Sequence, residues 1–287
     1  MNYKKLIEET YSVRDYSEKP ISENLKNEII SYFPNSKNLL ENIKTDIKIL
    51  NNSEVYNALN GKAGYNGIMI NAPHYIIIYS EKADNYIENS GYRASDIILK
   101  ATDLGLNTCF ITMSDREEIS KILNIPEGME ITALIALGYK DKDLKNVSND
   151  TKAGGNYSKA NVNIADNVPS YRKDLEELVF SESFGNSATL DELMNIGIFE
   201  PLRTVLFAPS ALNSQPWRFI LKGGKVFIAV EDTLQTSSYD EKISLGALMH
   251  YFQSVFETDF FGLKWTFDVS NAPEVPSNFK VEVSCTM

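Results

Sequence analysis

The sequence contains few of the residues on which disulfide, metal and charge-relay chemistry depends. Its 287 residues include 2 cysteines, Cys109 and Cys285, and 2 histidines, His74 and His250. Two such cysteines give neither a disulfide framework nor metal-ligand spacing, and two histidines leave little material for a zinc site or a Ser-His-Asp triad. We therefore expect no metal site, and we expect both histidines to be packed residues rather than catalysts or ligands.

The sequence also lacks a surplus of basic residues and a long apolar run. Its formal charge is -11 and its pI is about 4.8, which argues against nucleic-acid binding because such proteins usually carry a net basic face. No apolar run approaches the roughly 20 residues of a membrane helix, and "MNYKKLIEETYSV" lacks the apolar core of a signal peptide. We expect a cytoplasmic protein that binds neither nucleic acid nor membrane.

Helical and strand-like patterns alternate along the first half of the chain. The segment "KPISENLKNEIISYF" predicts a helix that Ser22 caps and Ile21 staples. The run "APHYIIIYSE" predicts a buried strand, and "SGYRASDIILKATDLGLNTCFITM" predicts a helix that Gly105 stops before a strand. A helix in "REEISKILNI" and a strand in "EITALIALGYK" follow. Many helices with few strands predict an α+β or α/β layered fold.

A polar stretch from Lys140 to Pro169, rich in Asn, Asp, Lys and Gly, predicts a surface connector. Beyond it we expect helices over "YRKDLEELVFSESFG" and "TLDELMNIGIFEPLRTVLF", strands at "PWRFIL" and "KVFIAV", and a helix in "SLGALMHYFQSVFETDFFG". Because "ATDLGLNTCF" resembles "ETDFFGLKWTF", we infer a divergent internal duplication. The alternative is that any two α/β segments look alike at this level. The predicted division is residues 1–140, a connector over 141–169, and residues 170–287.

One loop of the second half concentrates hydrogen-bonding groups between two apolar runs. In "LFAPSALNSQPWRFIL", Ser210 offers a hydroxyl, and Asn213 and Gln215 each offer an amide donor and acceptor. A side-chain amide matches the edge of a ring that alternates carbonyl and imide N–H groups, as a flavin does. The alternative is a polar loop that caps its own strand, since Pro, Ser and Asn are ordinary turn residues.

These residues resemble those of a known family. The stretch "APSALNSQPWRF" is similar to the loop of FMN-dependent nitroreductases, in which a proline-serine, an asparagine and a Q-P-W follow at this spacing. The stretch "TYSVRDYSEKPIS" resembles the opening signature R-R-S-x-R-x-[FY] followed by K-P-[IV]. Ser12, Arg14 and Tyr16 match it, whereas Thr10 and Tyr11 replace the usual basic pair. "ATDLGLNTCFITM" and "ITALIALGYK" resemble the family's G-L-G-T-C-W run and its closing G-Y.

The order of these motifs resembles the tandem branch of that family. An ordinary nitroreductase has the loop soon after the arginine signature and builds each flavin site between two identical subunits, whereas here the loop follows the connector. The resemblance implies an α+β, three-layer α/β/α nitroreductase-like fold in two tandem halves that form an intramolecular pseudo-dimer. In "FSESFG", Ser181 matches Ser12 and Ser183 replaces Arg14, so we expect one intact and one decayed flavin site.

The resemblance also implies how the FMN phosphate is held. Ser12 and Arg14 would supply a hydroxyl and a planar cation. The alternative for Arg14 is a surface salt bridge with Asp15 or Glu18. Two further cations, in "SYRKDLEELV", match the family's R-x-P-L-E-E-L-V segment and would restore the missing charge. Their alternative is solvated charge in the first turn of a helix, where cations are unfavourable. These two cations are Arg172 and Lys173.

Two segments of the first half would approach the flavin ring. "NGKAGYNGIMINAPHY" resembles the tandem branch's A-Y-G-I-I-x-G-A-P stretch, in which Gly64 and Gly67 let the backbone come close. A plain turn before a strand is the alternative. Ile111 and Thr112 would contact the ring through their backbone. The full set of expected FMN contacts, which includes no catalytic side chain, is Tyr11, Ser12, Val13, Arg14, Tyr65, Asn66, Gly67, Ile111, Thr112, Arg172, Lys173, Pro209, Ser210, Asn213 and Gln215.

The resemblance implies that NADH or NADPH reduces FMN and that an electron-poor small molecule, such as a nitroaromatic or a quinone, takes the electrons. Two alternatives are a flavin-binding or flavin-consuming relative without nicotinamide use, and a degenerate, non-catalytic scaffold. The second alternative is suggested by Thr10, Tyr11 and Thr112. We expect a monomer or a weak homodimer, because a fused pseudo-dimer has less need of a partner.

Overall fold

A computed structural model describes residues 1–141, 171–233, 235–258, 260 and 262–287. The predicted connector lies outside the described residues, except for Asp141. The chain divides into two compact units. The first unit contains Glu9–Tyr86 and the stretch from Asp96 to the end of the first described range, whereas the second contains Asn2–Glu8, Ile87–Ser95 and Tyr171–Met287. The predicted boundaries near 140 and 170 stay a prediction.

The first half of the chain alternates helices with strands, as its sequence predicts. Where described, its four strands form an antiparallel sheet in the order β1-β2-β4-β3. The central strand β2 is buried along nearly its whole length, as its β-branched run predicts. Neither β1 nor α3 is predicted by the sequence. The elements are α1 Tyr3–Glu9, α2 Glu23–Tyr32, β1 Thr45–Asn51, α3 Asn52–Leu59, β2 His74–Glu81, α4 Tyr86–Asp103, β3 Asn107–Ile111, α5 Arg116–Ile122 and β4 Met129–Gly138.

One helix of the first half begins, and another ends, where the sequence predicts. The Ser22 side chain accepts a hydrogen bond from the Leu25 backbone N–H (3.4 Å) and caps α2, and Ile21 beside it is 3% exposed. Gly105 has a φ of 73° and follows the last turn of α4. Both signals are therefore confirmed.

The second half of the chain differs from prediction in two of its segments. The predicted helix over "YRKDLEELVFSESFG" is only four residues long and passes into a strand, because Val179 and Phe180 bury their side chains in the second unit. The predicted helix "TLDELMNIGIFEPLRTVLF" is two helices, divided near Gly197, which has a φ of 76°. The elements are α6 Leu175–Leu178, β5 Val179–Ser181, α7 Leu190–Asn195, α8 Phe199–Val205, β6 Trp217–Lys222, β7 Lys225–Glu231, α9 Ser238–Phe256, β8 Trp265–Thr266 and β9 Phe279–Thr286.

The strand order of the second unit repeats that of the first. Its described sheet has the order β5-β6-β7-β9-β8, so β6-β7-β9-β8 reproduces β1-β2-β4-β3. In each copy a long helix, α4 or α9, separates the second strand from the third along the chain. Each copy also has a register shift at the same pairing, between Ile78 and Tyr79 in β2 and between Ile228 and Ala229 in β7. The α+β class and the two tandem halves are thus confirmed.

The predicted equivalence of Ser181 with Ser12 is wrong. Ser12 pairs in parallel with Thr108 of the edge strand β3, whereas Ser181 lies in β5 and pairs with Leu221 of β6, the counterpart of β1. The two serines therefore lie at opposite edges of corresponding sheets. The expectation of one decayed flavin site loses its basis with this equivalence.

Candidate functional site

The loop from Pro209 to Gln215 joins α8 to β6 and has a strained backbone. Leu212, Asn213 and Gln215 have φ values of 52°, 56° and 46°. Non-glycine residues adopt this left-handed conformation at a cost of order 1–3 kcal/mol each, and such residues cluster at functional sites. The Ser210 hydroxyl accepts a hydrogen bond from the Gln215 backbone N–H (3.0 Å) and closes the loop on itself.

The amides of this loop hold the chain that precedes α6. The Asn213 amide donates to the Tyr171 carbonyl (2.9 Å), and the Gln215 amide oxygen accepts from the Lys173 backbone N–H (2.9 Å). The Gln215 amide nitrogen also donates to the Tyr171 carbonyl (3.3 Å), and the side chain is only 1% exposed. The two amides are thus bonded within the second unit, and their contact with a flavin stays a prediction.

Arg172 lies within the segment that these amides hold. Its guanidinium donates to the Asn213 side-chain oxygen and, at 3.3 Å, to the carbonyls of Tyr171 and Phe207. Its buried Nε has no hydrogen-bond partner in the part of the chain that the structure describes, and burial lowers the pKa of the group. Among the described residues no carboxylate lies within ion-pair distance of Arg172. Arg172 is half-buried, and a cation withdrawn from water is normally paired, so this donor set fits an anionic group.

Lys173 adds a second cation beside the loop. Its ammonium donates to the Gln215 carbonyl at 3.3 Å. Burial lowers its pKa, and the neighbouring charge of Arg218 lowers it further. Arg218 differs from both cations because Glu231 lies 3.7 Å from its guanidinium. Of the three cations beside the loop, Arg172, Lys173 and Arg218, only Arg218 therefore has a carboxylate within ion-pair distance among the described residues.

In the first unit, the arginine signature runs beside β3. The Val13 backbone N–H donates to the Thr108 carbonyl (3.0 Å), and the Val13 side chain is buried. Ser12 and Arg14 on either side are exposed. Within the described part of the chain, Arg14 forms no ion pair with Asp15 or Glu18, so the surface salt bridge predicted as the alternative is absent there.

Two further groups modify the surroundings of Ser12. Burial raises the pKa of the Cys109 thiol, whereas the Arg14 charge and a hydrogen bond with the Ser12 side chain lower it. The Lys140 ammonium lies 5.4 Å from the centroid of the Tyr11 ring, which is 47% exposed. A lysine from the end of the first half thus lies near the position where the family signature has a basic residue.

The loop predicted to approach the flavin ring joins the end of β3. The Gly64 backbone N–H donates to the Thr112 carbonyl at 2.8 Å, and Ile111 beside it is buried. Gly64 has a φ of 91°, and a Cβ there would lie 1.9 Å from the Ile68 carbonyl oxygen, so glycine is required. Asn66 and Gly67 are also left-handed, and the tight turn leaves Tyr65 39% exposed.

The structure therefore places the three predicted segments of the first unit along one strand. Ser12 pairs with Thr108, Gly64 bonds to Thr112, and four residues of extended chain separate these points by about 13 Å. The other predicted residues, from Arg172 to Gln215, lie together in the second unit. No pattern in the sequence indicates Lys140, which the fold places beside Tyr11.

The comparisons with known proteins identify the family. The model of the family described as "Putative TM nitroreductase" matches residues 2–254. The chain belongs to this family. The membership confirms the resemblance that the motifs indicate.

Solved structures similar to this nitroreductase-family chain include three bacterial proteins. A "putative nitroreductase" from Thermotoga maritima MSB8 is 20% identical, with a TM-score of 0.58, and the match covers 100% of this chain and 93% of that chain. An FMN-dependent nitroreductase from Clostridium difficile R20291 is 24% identical, with a TM-score of 0.42, over 50% of this chain and 91% of its own. A "putative NADH oxidase" from Clostridium acetobutylicum is 15% identical, with a TM-score of 0.40, over 48% and 88%. The Thermotoga structure shows that the fold extends over the whole chain.

No curated protein matches the sequence. In the described ranges, no helix combines the length and the apolar composition that a membrane span requires.

Proposed function

We propose that this chain is an oxidoreductase that binds FMN, takes electrons from NADH or NADPH, and passes them to an electron-poor small molecule such as a nitroaromatic or a quinone. Membership of a nitroreductase family supports the oxidoreductase class. The observation that carries the cofactor is Arg172, a partly buried cation without a carboxylate partner among the described residues and with an unused Nε donor.

The residues present fit an anionic cofactor. In the second unit, Arg172 and Lys173 supply positive charge. The Asn213 and Gln215 amides form hydrogen bonds with the chain at 171–173 and so hold these two cations in position. In the first unit, Ser12 and Arg14 present an exposed hydroxyl and an exposed guanidinium. FMN, when bound, would supply the electron-transfer chemistry, and the chain would bind and orient it.

The first experiment asks whether the protein holds a flavin. Purified protein should be yellow, release FMN on heating, and regain its colour when FMN is added back. Protein that is colourless and does not bind added FMN in a fluorescence titration would rule out the proposal and leave the non-catalytic scaffold.

The second experiment asks whether the flavin is reduced by a nicotinamide. FMN-loaded protein is mixed anaerobically with NADH and with NADPH, and at least one of them should bleach the flavin absorbance. A nitroaromatic or a quinone added afterwards should restore it. If the protein binds FMN but neither nicotinamide bleaches it, the flavin-binding alternative without nicotinamide use is correct.

A pair of arginine variants tests the residue that carries the proposal. Arg172→Met should weaken FMN binding at least tenfold, because a charge-assisted contact contributes about 1.5–3 kcal/mol. Arg203→Met is the matched control, since Arg203 is exposed and lies 3.4 Å from Glu200. Equal FMN affinity in the two variants would show that Arg172 does not bind the cofactor.

A further inference from the structure

A glutamate is buried where α4 approaches α9 within the second unit. Glu88 is 4% exposed, although glutamate is almost never fully buried unless it is paired. A Cβ at Gly246 in α9 would lie 2.0 Å from the Glu88 carbonyl oxygen, so the two helix backbones meet at this residue. The Glu88 side chain therefore starts from a contact between two backbones and is withdrawn from water.

The Glu88 carboxyl has weak support for a negative charge. Its Oε2 is buried and has no hydrogen-bond partner in the described ranges. Its Oε1 lies 3.7 Å from the Lys242 ammonium of α9, which is farther than a hydrogen bond reaches, and the Lys242 side chain is 51% exposed. A buried carboxylate needs an ion pair with good geometry and hydrogen bonds to its remaining lone pairs. These surroundings suit a neutral carboxyl better than a carboxylate.

The charged side chains that act on Glu88 come from α9 and β9. Burial raises the pKa of Glu88 above its ordinary value, and the negative charge of Glu282 on β9 raises it further. The Glu88 backbone N–H and the positive charge of Lys242 oppose this rise. Lys280 lies 2.8 Å from the Glu282 carboxylate and partly neutralises it. The electrostatics of the site and its geometry thus both favour the protonated form.

The part of α9 that meets Glu88 also holds the loop from Pro209 to Gln215. The Ser244 hydroxyl, two residues after Lys242, accepts a hydrogen bond from the Ala211 backbone N–H at 3.1 Å. A displacement of this turn of α9 would therefore be transmitted to the loop.

We propose that Glu88 makes the contact between α4 and α9 depend on pH. At acidic pH the folded protein holds a proton on Glu88, and the neutral carboxyl is accommodated between the helices. When the pH rises and the proton leaves for water, the carboxylate draws water into the contact, which loosens α9 and the loop that Ser244 holds. The proposal concerns the second unit alone and does not depend on the proposed cofactor.

Urea unfolding of the wild type and of Glu88→Gln between pH 5 and 8 tests the proposal. Glutamine keeps the size of the carboxyl but has no proton to lose. Because the folded-state pKa of Glu88 is raised above its ordinary value of 4.5, the stability that the proton provides is complete below that value and is lost as the pH rises through the folded-state pKa. The unfolding constant of the wild type, relative to that of Glu88→Gln, should rise with pH by at most about tenfold per unit and then level off.

Two further variants support this comparison. Lys242→Met removes the ammonium that opposes the pKa rise, so its loss of stability should extend to higher pH than in the wild type. It provides the same test if Glu88→Gln fails to fold. Glu200→Gln is the matched control, because the Glu200 side chain is 60% exposed and keeps its water in the folded protein. Its stability relative to the wild type should stay the same from pH 5 to 8.

Two results would overturn the proposal. A constant ratio of the unfolding constants of wild type and Glu88→Gln would show that Glu88 does not titrate in this range. A ratio that falls with rising pH would show that Lys242 stabilises the carboxylate instead.

Amide hydrogen exchange tests whether Glu88 acts on the loop. At each pH the wild type and Glu88→Gln have the same intrinsic exchange rates, so the comparison reports local opening alone. The Ala211 amide should exchange equally in the two proteins at pH 5 and severalfold faster in the wild type at pH 8. Equal exchange at both pH values would refute the transmission from Glu88 to the loop.

Discussion

Single residues of the loop from Pro209 to Gln215 hold Arg172, a cation that has no carboxylate partner among the described residues. Among the described residues Arg172 donates only to neutral oxygens, and Asn213 supplies one of them. Asn213 itself has a φ of 56°, a backbone conformation with a cost of its own. Its two hydrogen bonds to the chain at 171 and 172 offset that cost. This cation, held by a strained loop, is the feature on which the proposed binding of an anionic cofactor rests.

His74 provides a residue-scale prediction about pH. It is buried, as the sequence predicts for a packed histidine, and its Nε2 accepts a hydrogen bond from the Ile21 backbone N–H at 3.1 Å. Burial lowers the pKa of His74, the charge of Lys26 lowers it further, and Glu23 opposes them. Because the folded-state pKa lies below the unfolded value of about 6.5, the unfolded chain binds the proton more readily. The stability that His74 contributes is therefore complete above that pH and declines as the pH falls below it.

The measurement is urea unfolding of the wild type and of His74→Gln between pH 5.5 and 8. Above about pH 7 the wild type should be the more stable protein, by a constant amount. Below about pH 6.5 its advantage should shrink by at most about 1.4 kcal/mol per pH unit, the limit for one proton. A difference that stays constant over the whole range would contradict the lowered pKa of His74.

At the scale of elements, α9 and the Ile87–Ser95 part of α4 meet at glycines within the second unit. A Cβ at Gly91 in α4 would lie 2.3 Å from the Ile243 carbonyl oxygen, and a Cβ at Gly246 in α9 would lie 2.0 Å from the Glu88 carbonyl oxygen. The contact is reciprocal, because each glycine faces the residue three positions before the other glycine. The two corresponding helices of the repeat therefore approach each other backbone to backbone, which only glycine permits.

Gly246→Ala tests this crossing. Overpacking against backbone atoms costs about 3 kcal/mol, whereas alanine in a helix gains about 1 kcal/mol over glycine, so a net loss of about 2 kcal/mol in the free energy of unfolding is expected. Gly91→Ala should lower the free energy of unfolding by a similar amount, because a Cβ at Gly91 would meet the backbone of α9 in the same way. Urea unfolding measures both.

The matched control for the crossing is Gly105→Ala. Gly105 has a φ of 73° and no atom within 4 Å of an added Cβ, so its substitution reports only the left-handed penalty of about 1 kcal/mol. If Gly246→Ala is as stable as the wild type, the two backbones are not in contact as described.

At the scale of the whole molecule, the chain contains two copies of one arrangement of strands. The shared strand order and the register shift at Ile78 and Ile228 are difficult to explain by chance similarity of α/β segments. The two copies share this strand order but differ in the lengths and the number of their strands. β3 has five residues, whereas β8 has two, and in the described ranges the added parallel strand β5 occurs only in the second copy.

This duplication leads to the proposal that the protein is a monomer. A single polypeptide already supplies both copies of the repeat, so it has less need of a second subunit. Light scattering coupled to gel filtration should give a mass near 32.3 kDa. A mass near twice that value that persists on dilution to nanomolar concentration would show a stable homodimer instead.

The sequence alone determined the fold class, the family and the elements with strong periodicity. Apolar spacing and β-branched runs depend on residues close in the chain, which is why α2, β2, α4, β4 and α9 were predicted. The strand β1 was missed because its burial is mixed and charges interrupt it. The sequence predicts helix where β5 lies, because "LEELVF" has strong helix formers before its two strand residues.

Only the tertiary structure decided which groups lack partners and at which edge of a sheet a segment lies. Ser12 and Ser181 look equivalent in sequence, yet strand pairing places them beside β3 and β6, because pairing partners are chosen over long chain separations. The loop amides appear ready for a ligand in sequence, but the fold directs them to the chain at 171–173. The buried Nε of Arg172 lacks an acceptor among the described residues, because folding removes water from it without supplying one.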